Sequence, residues 1–206
     1  MASPQTITKL IDDLDASAAR VRYGAARQLQ SLGRQNPALL YPHWDQFVAL
    51  LDNPRTILRW MAAAILADLV SVDRECKFDR LFRRYFRPIR EHVMIAAANI
   101  IRYTPTIVAA RPDLADKIVR EILTVKSARY QTPTCRDIAI GHAIIALGGI
   151  HPGRASQAAI LRFVQEQVGN DRPATRKKAQ ALLKRLGKGR LSPPAATKSP
   201  PGRNNS

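Results

Sequence analysis

The sequence predicts an all-α protein, folded as a right-handed α-solenoid of about five helix pairs. The first observation is an internal repeat, because the phrase that starts at Val21 returns at Leu58 without a gap and weaker copies start at Val93, Cys135 and Thr175. Copies 35–42 residues apart are typical of stacked helix pairs. The second observation is that apolar residues within the copies recur with the helical period, whereas no segment alternates as a strand does.

One column of the repeat is alanine in every copy, at Ala25, Ala62, Ala97, Ala139 and Ala179. This column lies at the centre of the apolar stripe when each copy is drawn as a helix. A methyl group there lets two helices approach closely, whereas a larger side chain would hold them apart. We therefore expect the alanine column to be buried in all five repeats.

A further helical stretch precedes each copy, so each copy is expected to be the second helix of a pair. These first helices are expected at residues 5–14, 37–51, 77–86, 107–125 and 155–168. The connectors contain helix breakers and caps, among them Asn36-Pro37, Thr104-Pro105 and Thr132-Pro133. The sequence thus predicts a repeat domain over residues 1–187. Residues 188–206, rich in Pro, Ser and basic side chains, are expected to form a disordered tail.

The pattern of a helix pair, an Asp or Asn turn and then V-R-x-x-A-A-x-x-L-x-x-L resembles HEAT repeats, over roughly residues 5–187. Two turns keep that family's spacing between Asp and the Val-Arg position, at residues 15–21 and 52–58. Met94 and Ala143 depart from the pattern. The chain resembles small prokaryotic HEAT-repeat proteins with no assigned activity. The resemblance implies a non-enzymatic scaffold that binds a protein partner.

In HEAT-like proteins the second helices line a concave groove, which implies where a ligand would bind. The candidate groove residues are Tyr23, Arg27, Trp60, Asn99, Arg102 and Asp137. A less favoured alternative is a DNA-repair enzyme similar to the HEAT-like alkylpurine DNA glycosylases, which use groove aromatics and an aspartate. Tyr23, Trp60 and Asp137 are residues of those types, but the resemblance is limited to fold and charge.

Charge is the second strong signal, since 33 basic residues stand against 16 acidic ones. From Arg172 to the end there is no Asp or Glu. This could be the solvated surface of a terminal capping helix, or it could bind a polyanion such as nucleic acid. The candidate polyanion-binding residues are Arg172, Arg176, Lys177, Lys178, Lys184 and Arg185.

Two further basic groups allow more than one interpretation. The column Arg22, Arg59, Arg136 and Arg176 flanks the apolar stripe, and we expect it to pair with the turn aspartates Asp15, Asp52 and Asp171 of neighbouring repeats. Lys77, Arg80, Arg84 and Arg87 share one face of a first helix. That face is interpreted as solvated, with a phosphate-contacting ridge as the alternative.

Catalytic and metal-binding signals are weak. The four histidines and two cysteines lack metal-ligand spacing, and no phosphate-loop or nucleophile-elbow motif occurs. We therefore expect no cofactor, no metal and no catalytic residues. The sequence has no run of about 18 apolar residues and no secretion signal, so we expect a cytoplasmic protein without a membrane span.

Overall fold

The computed structural model describes residues 3–189, and this range contains α-helices and short 3-10 turns but no strand. The helices are α1 (Pro4–Asp12), α2 (Ala19–Gln35), α3 (Pro37–Leu40), α4 (Trp44–Leu50), α5 (Thr56–Leu69), α6 (Lys77–Phe86), α7 (Met94–Ala110), α8 (Ala115–Leu123), α9 (Pro133–Leu147), α10 (Arg154–Glu166) and α11 (Pro173–Gly189). The all-α prediction, with about ten helices, is confirmed for these residues. The tail predicted over residues 188–206 lies, from residue 190 onwards, outside the described residues.

The helices follow one another in five pairs, with α3 and α4 together forming the first helix of the second pair. The second helices pack in chain order: α2 on α5, α5 on α7, α7 on α9, and α9 on α11. The first helices lie beside them, and α8 packs on α10. The result is two layers of helices, a first-helix layer and a second-helix layer. The solenoid and its handedness stay predictions.

The alanine column is buried throughout, as the sequence predicts. Ala25 is 2% exposed, and the four equivalent alanines are 0% exposed. One continuous apolar core runs past these alanines from Ile7 in α1 to Leu182 in α11. The small side chains therefore occur where the second helices meet the core, which is the packing reason for their recurrence.

The prediction that Thr104-Pro105 ends a helix is wrong. Helix α7 continues through Pro105 to Ala110, so residues 107–110 belong to a second helix and not to the first helix expected at 107–125. Proline lacks the N–H that would bond the carbonyl of Ile101, which usually breaks a helix. Here the buried hydroxyl of Thr104 donates to that carbonyl at 2.7 Å and replaces the missing bond.

The first helix expected at residues 37–51 is interrupted near its middle. A 3-10 turn at Tyr41–His43 separates α3 from α4. Pro42 sits in this turn, and its ring and missing N–H do not fit an α-helix interior. Trp44 follows at the start of α4 and is buried, so the break still directs the second half of the element into the core.

The predicted ladder between the arginine column and turn aspartates does not form among the described residues. Arg22 Nη1 donates to the carbonyl of Ala16 at 2.6 Å, and Arg176 Nη1 donates to the carbonyl of Asn170 at 2.8 Å. Each arginine therefore closes the turn six residues before it in its own repeat. A guanidinium can satisfy free turn carbonyls as well as carboxylates, and the sequence does not distinguish the two partners.

Ion pairs between neighbouring helix pairs do occur, but they lie in the first-helix layer. Asp52 accepts from both Arg84 and Arg87, which follow it by 32 and 35 residues. Arg90 contacts Glu121, and Lys126 lies 3.3 Å from Glu166 across the next two pairs. Three members of the basic group at residues 77–87, namely Lys77, Arg84 and Arg87, thus already have a carboxylate partner. This geometry does not support the phosphate-contacting alternative for that group.

Candidate functional site

The candidate site is the exposed side of the second-helix layer. In its middle, α5 lies between α2 and α7 and presents small buried side chains at Ala64 and Ala67. Arg27 on α2 and Arg102 on α7 are exposed on either side of it. Exposed cations in this part of the layer therefore lie on the helices that flank α5.

The two predicted groove aromatics, Tyr23 and Trp60, are partly covered by other side chains of the protein. Trp60 is half-buried, and its indole Nε1 is inaccessible and lacks an acceptor among the described residues. Tyr23 is also half-buried, with the guanidinium of Arg22 4.9 Å from its ring centre. A nucleic-acid base that stacks on this face of Tyr23 would displace the cation–π contact. The two aromatics are thus better placed for packing than for base stacking.

The two remaining polar groove candidates make local hydrogen bonds. Asp137 Oδ1 accepts from Asn170 Nδ2 at 3.0 Å, and its carbonyl accepts from Thr175 Oγ1 at 2.7 Å. These bonds fasten α9 to the turn before α11. Asn99 Nδ2 donates to the carbonyl of Ile95 in its own helix at 2.8 Å. Asp137 therefore has a structural partner, and its geometry lends no support to the glycosylase alternative.

Charges are distributed unequally between the two layers. Every ion pair in the described part of the chain joins residues that lie outside the second helices. The second helices contain Asp68 and Asp137 as their only acidic residues within 3–189. Six exposed cations of these helices occupy positions 20, 23, 27, 30 and 34 in the numbering of the first copy: Arg20, Lys177, Arg27, Arg102, Lys184 and Arg34. At 100° per residue these positions fall within an arc of about 80°, so they point the same way.

His142 on α9 marks the place where cations from α7, from α11 and from the turn before α11 meet. Burial lowers the pKa of this half-buried imidazole, and Lys178, Arg102 and Arg172 lower it further by repelling its protonated form. Lys178 Nζ itself lies over Gly141, and burial followed by the charge of Arg172 lowers its pKa. The structure thus joins Arg102, a predicted groove residue, to Arg172 and Lys178 of the predicted polyanion-binding set.

His142 is half-buried. From the sequence, the groove residues and the basic C-terminal residues are two separate sets. Repeats three, four and five meet at His142 because of the way α7, α9 and α11 stack. The repeat pattern in the sequence does not predict that stacking.

The other members of the predicted polyanion-binding set differ in whether their side chains are already hydrogen-bonded within the protein. Lys177 and Lys184 are exposed. Arg176 closes its own turn, as described above, and Arg185 donates to the carbonyl of Gly148. Lys177 and Lys184 are therefore the members best able to contact a ligand without giving up an internal bond.

Asp68 lies on α5, which packs between α2 and α7, and it was not predicted as a site residue from the sequence. Burial raises the pKa of Asp68, and the nearby Arg34 acts in the opposite direction. Arg34 and Arg102 also oppose the rise that burial causes in the pKa of Tyr103. Arg34, Asp68, Arg102 and Tyr103 are thus neighbours across α2, α5 and α7, and cations outnumber carboxylates among them.

Comparison with known proteins adds little. No family model and no curated protein matches the chain. A crystal structure of an engineered protein is similar over 89% of this chain and 99% of its own, with 16% sequence identity and a TM-score of 0.38. At that TM-score the likeness supports no argument about fold or function.

Two classes of site were searched for directly within residues 3–189. No group of three His, Cys, Asp or Glu side chains there could hold a metal ion. None of the helices in that range combines the length and apolar character needed to cross a membrane.

Proposed function

We propose that this protein is a non-enzymatic, HEAT-like binding protein whose second-helix layer binds nucleic acid. The observation that carries the proposal is the separation of charge between the layers. The ion pairs of the described residues, such as Arg84 with Asp52 and Arg90 with Glu121, lie outside the second helices. The second helices carry exposed cations on one side and have only two acidic residues in the described range. An unpaired row of cations favours a polyanion because each bound phosphate releases counterions.

The expected binding mode follows from the residue types on this surface. Lysine and arginine side chains contact phosphates, which position a protein on nucleic acid without reading its sequence. The aromatics that could stack on bases are half-buried, and Asp137 is bonded to Asn170. The protein should therefore bind with weak sequence preference, and the cation cluster around His142 should take up one of the contacted phosphates.

A protein-binding scaffold is the second candidate function, because apolar side chains are exposed where three second helices begin. Val21, Ile57, Val93 and Ile95 are 41–47% exposed at the starts of α2, α5 and α7. Exposed apolar clusters of this kind mark protein contacts more often than nucleic-acid contacts. Substitution of Ile57 and Ile95 by Asp should weaken the binding of a protein partner and leave phosphate contacts intact.

A salt series of binding measurements tests the nucleic-acid proposal. The full chain is titrated with a fluorescent DNA duplex, a single-stranded RNA and an acidic control protein at increasing potassium chloride. We expect log K for the duplex to fall with log salt by about 0.9 for each phosphate contacted. Two duplexes of different sequence should bind alike. Absence of binding at low salt, or binding that is insensitive to salt, would contradict the proposal.

A further inference from the structure

A cavity lies between α10 and α11, beside the end of α9. Its volume is about 950 Å³. The apolar lining consists of Leu147, Ile150, Pro152, Ile160, Leu161, Leu182, Leu183 and Leu186. We call this cavity the terminal cleft.

Its apolar wall is open to solvent. Leu186 is 38% exposed, and Leu161 and Leu183 are half-buried. None of the described residues covers Leu186. Leucines facing an open cleft of this size therefore indicate a surface that another molecule covers.

The charges of the terminal cleft indicate what that molecule carries. Arg154, Arg185 and His151 lie among its lining residues, and no Asp or Glu does. A ligand that fills the apolar part must therefore place negative or neutral polar groups beside the two arginines. Nucleic acid does not meet the first requirement, because its exposed surface is the charged phosphate backbone.

The shape of the terminal cleft favours a helix. On α10 the lining residues Arg154, Ala158, Leu161 and Gln165 follow helical spacing over about three turns, a length of roughly 17 Å. A helix placed between α10 and α11 can put leucines at i, i+3, i+4 and i+7 into such a groove. Its flanking positions would then lie beside Arg154 and Arg185.

We propose that the terminal cleft binds an amphipathic helix of a protein partner, with an apolar stripe and acidic residues beside it. The binding is independent of the nucleic-acid proposal, because the exposed cations Arg102, Lys177 and Lys184 proposed to contact phosphates do not line the terminal cleft. The cations of the cleft are Arg154 and Arg185. The protein would then hold a protein partner at one end while its second helices contact nucleic acid.

A designed peptide tests this proposal with the full chain. The probe is a fluorescent helical peptide of about 18 residues, with leucines on one stripe and glutamates at the remaining positions. We expect micromolar binding by fluorescence anisotropy. Leu161→Asp and Leu186→Asp should each weaken it about tenfold or more, because each places a carboxylate in the apolar wall. Arg154→Glu should weaken it as well.

Two controls separate the terminal cleft from general stickiness. Ile145→Asp alters an apolar side chain that is 58% exposed on α9 and does not line the cleft, so it should leave binding unchanged. A peptide with lysine in place of glutamate should bind at least about tenfold more weakly. Circular dichroism confirms that each variant is folded before its affinity is compared.

Several outcomes would overturn the proposal. These are an affinity that the Leu161 and Leu186 substitutions do not change, equal binding of the lysine peptide, and binding that appears only after residues 190–206 are deleted. Loss of self-association in the leucine variants, without any peptide binding, would assign the cleft to a second copy of the chain. Failure here would leave the salt-dependent binding of duplex DNA unaffected.

Discussion

His142 is the residue whose surroundings predict a pH dependence of stability. Burial and three nearby cations lower the pKa of His142 in the folded protein. An unfolded histidine takes up a proton near pH 6.5, so below that pH the unfolded chain binds more protons than the folded one. The stability that neutral His142 contributes is therefore fully present above about pH 6.5. It is lost as the pH falls towards the lowered pKa of the folded protein. His142→Gln should make the stability less sensitive to acid in this range.

Urea unfolding of both proteins between pH 7 and pH 5 measures this effect. The difference between the wild-type and H142Q free energies of unfolding should shrink as the pH falls, or change sign in favour of the variant. The other titrating groups are common to both proteins and cancel in the difference. A difference that stays constant across the interval would show that His142 titrates alike in the folded and unfolded chains.

Ala62 tests the packing role of the alanine column at a single position. Its side chain is 0% exposed in α5, which is in contact with α2, α4 and α7. Ala62→Phe inserts a ring where there is no room, and we expect a loss of about 1–3 kcal/mol or more in the free energy of unfolding. Ala181→Phe is the matched control, because Ala181 is exposed on α11. This substitution should change the free energy of unfolding by less than about 0.5 kcal/mol. Equal losses for both variants would contradict the packing argument.

At the scale of the element, two glycines inside helices have opposite surroundings. A methyl group on Gly141 of α9 would lie 2.9 Å from Thr175 Oγ1 and 3.3 Å from Lys178 Nζ, whereas one on Gly24 of α2 would meet nothing within 4 Å. Thr175 is buried and bonded to the Asp137 carbonyl, so it cannot move cheaply. Gly141 therefore allows α11 to cross α9 closely.

Gly24→Ala should stabilise the protein by about 0.5–1 kcal/mol, because alanine is the better helix former and has free space. Gly141→Ala has the same intrinsic advantage but must push α11 away from α9, so it should be neutral or destabilising by about 1–3 kcal/mol. Thermal and urea unfolding of the two variants measure the contrast. A stabilised Gly141→Ala would show that the crossing is looser than the structure places it.

Much of the helical layout could be predicted from the sequence, because the repeat carries its own packing information. The alanine column and the second helices follow from apolar spacing, which is local. The continuation of α7 through Pro105 could not be predicted this way. The Thr104 hydroxyl replaces the hydrogen bond lost at Pro105, and the rule that proline ends a helix takes no account of such a side-chain bond. The partners of Asp52 also escaped prediction, because they depend on which side chains of the next pair come within reach.

On the scale of the whole molecule, the layers separate two tasks. The first-helix layer holds neighbouring pairs together with ion pairs such as Arg90 to Glu121. The second-helix layer packs through alanines, and among the described residues none of its cations lies within ion-pair distance of a carboxylate. Exposed ion pairs contribute little to stability, up to about 1 kcal/mol each, so the difference between the layers matters more for what the surfaces attract than for folding.

The most direct test of this account compares two variants that carry the same net charge. The first replaces Arg27, Arg102, Lys177 and Lys184 of the second-helix layer by Glu, and the second replaces Arg80, Arg83, Arg120 and Arg162 of the first-helix layer by Glu. All eight side chains are exposed, so both variants should fold. The measurement is the affinity of each for a DNA duplex at one salt concentration. We predict that the second-helix variant loses on the order of a hundredfold while the first-helix variant loses far less, because only the former removes phosphate contacts. Equal losses would show that net charge alone attracts the nucleic acid, and a larger loss in the first-helix variant would place the interface on the opposite layer.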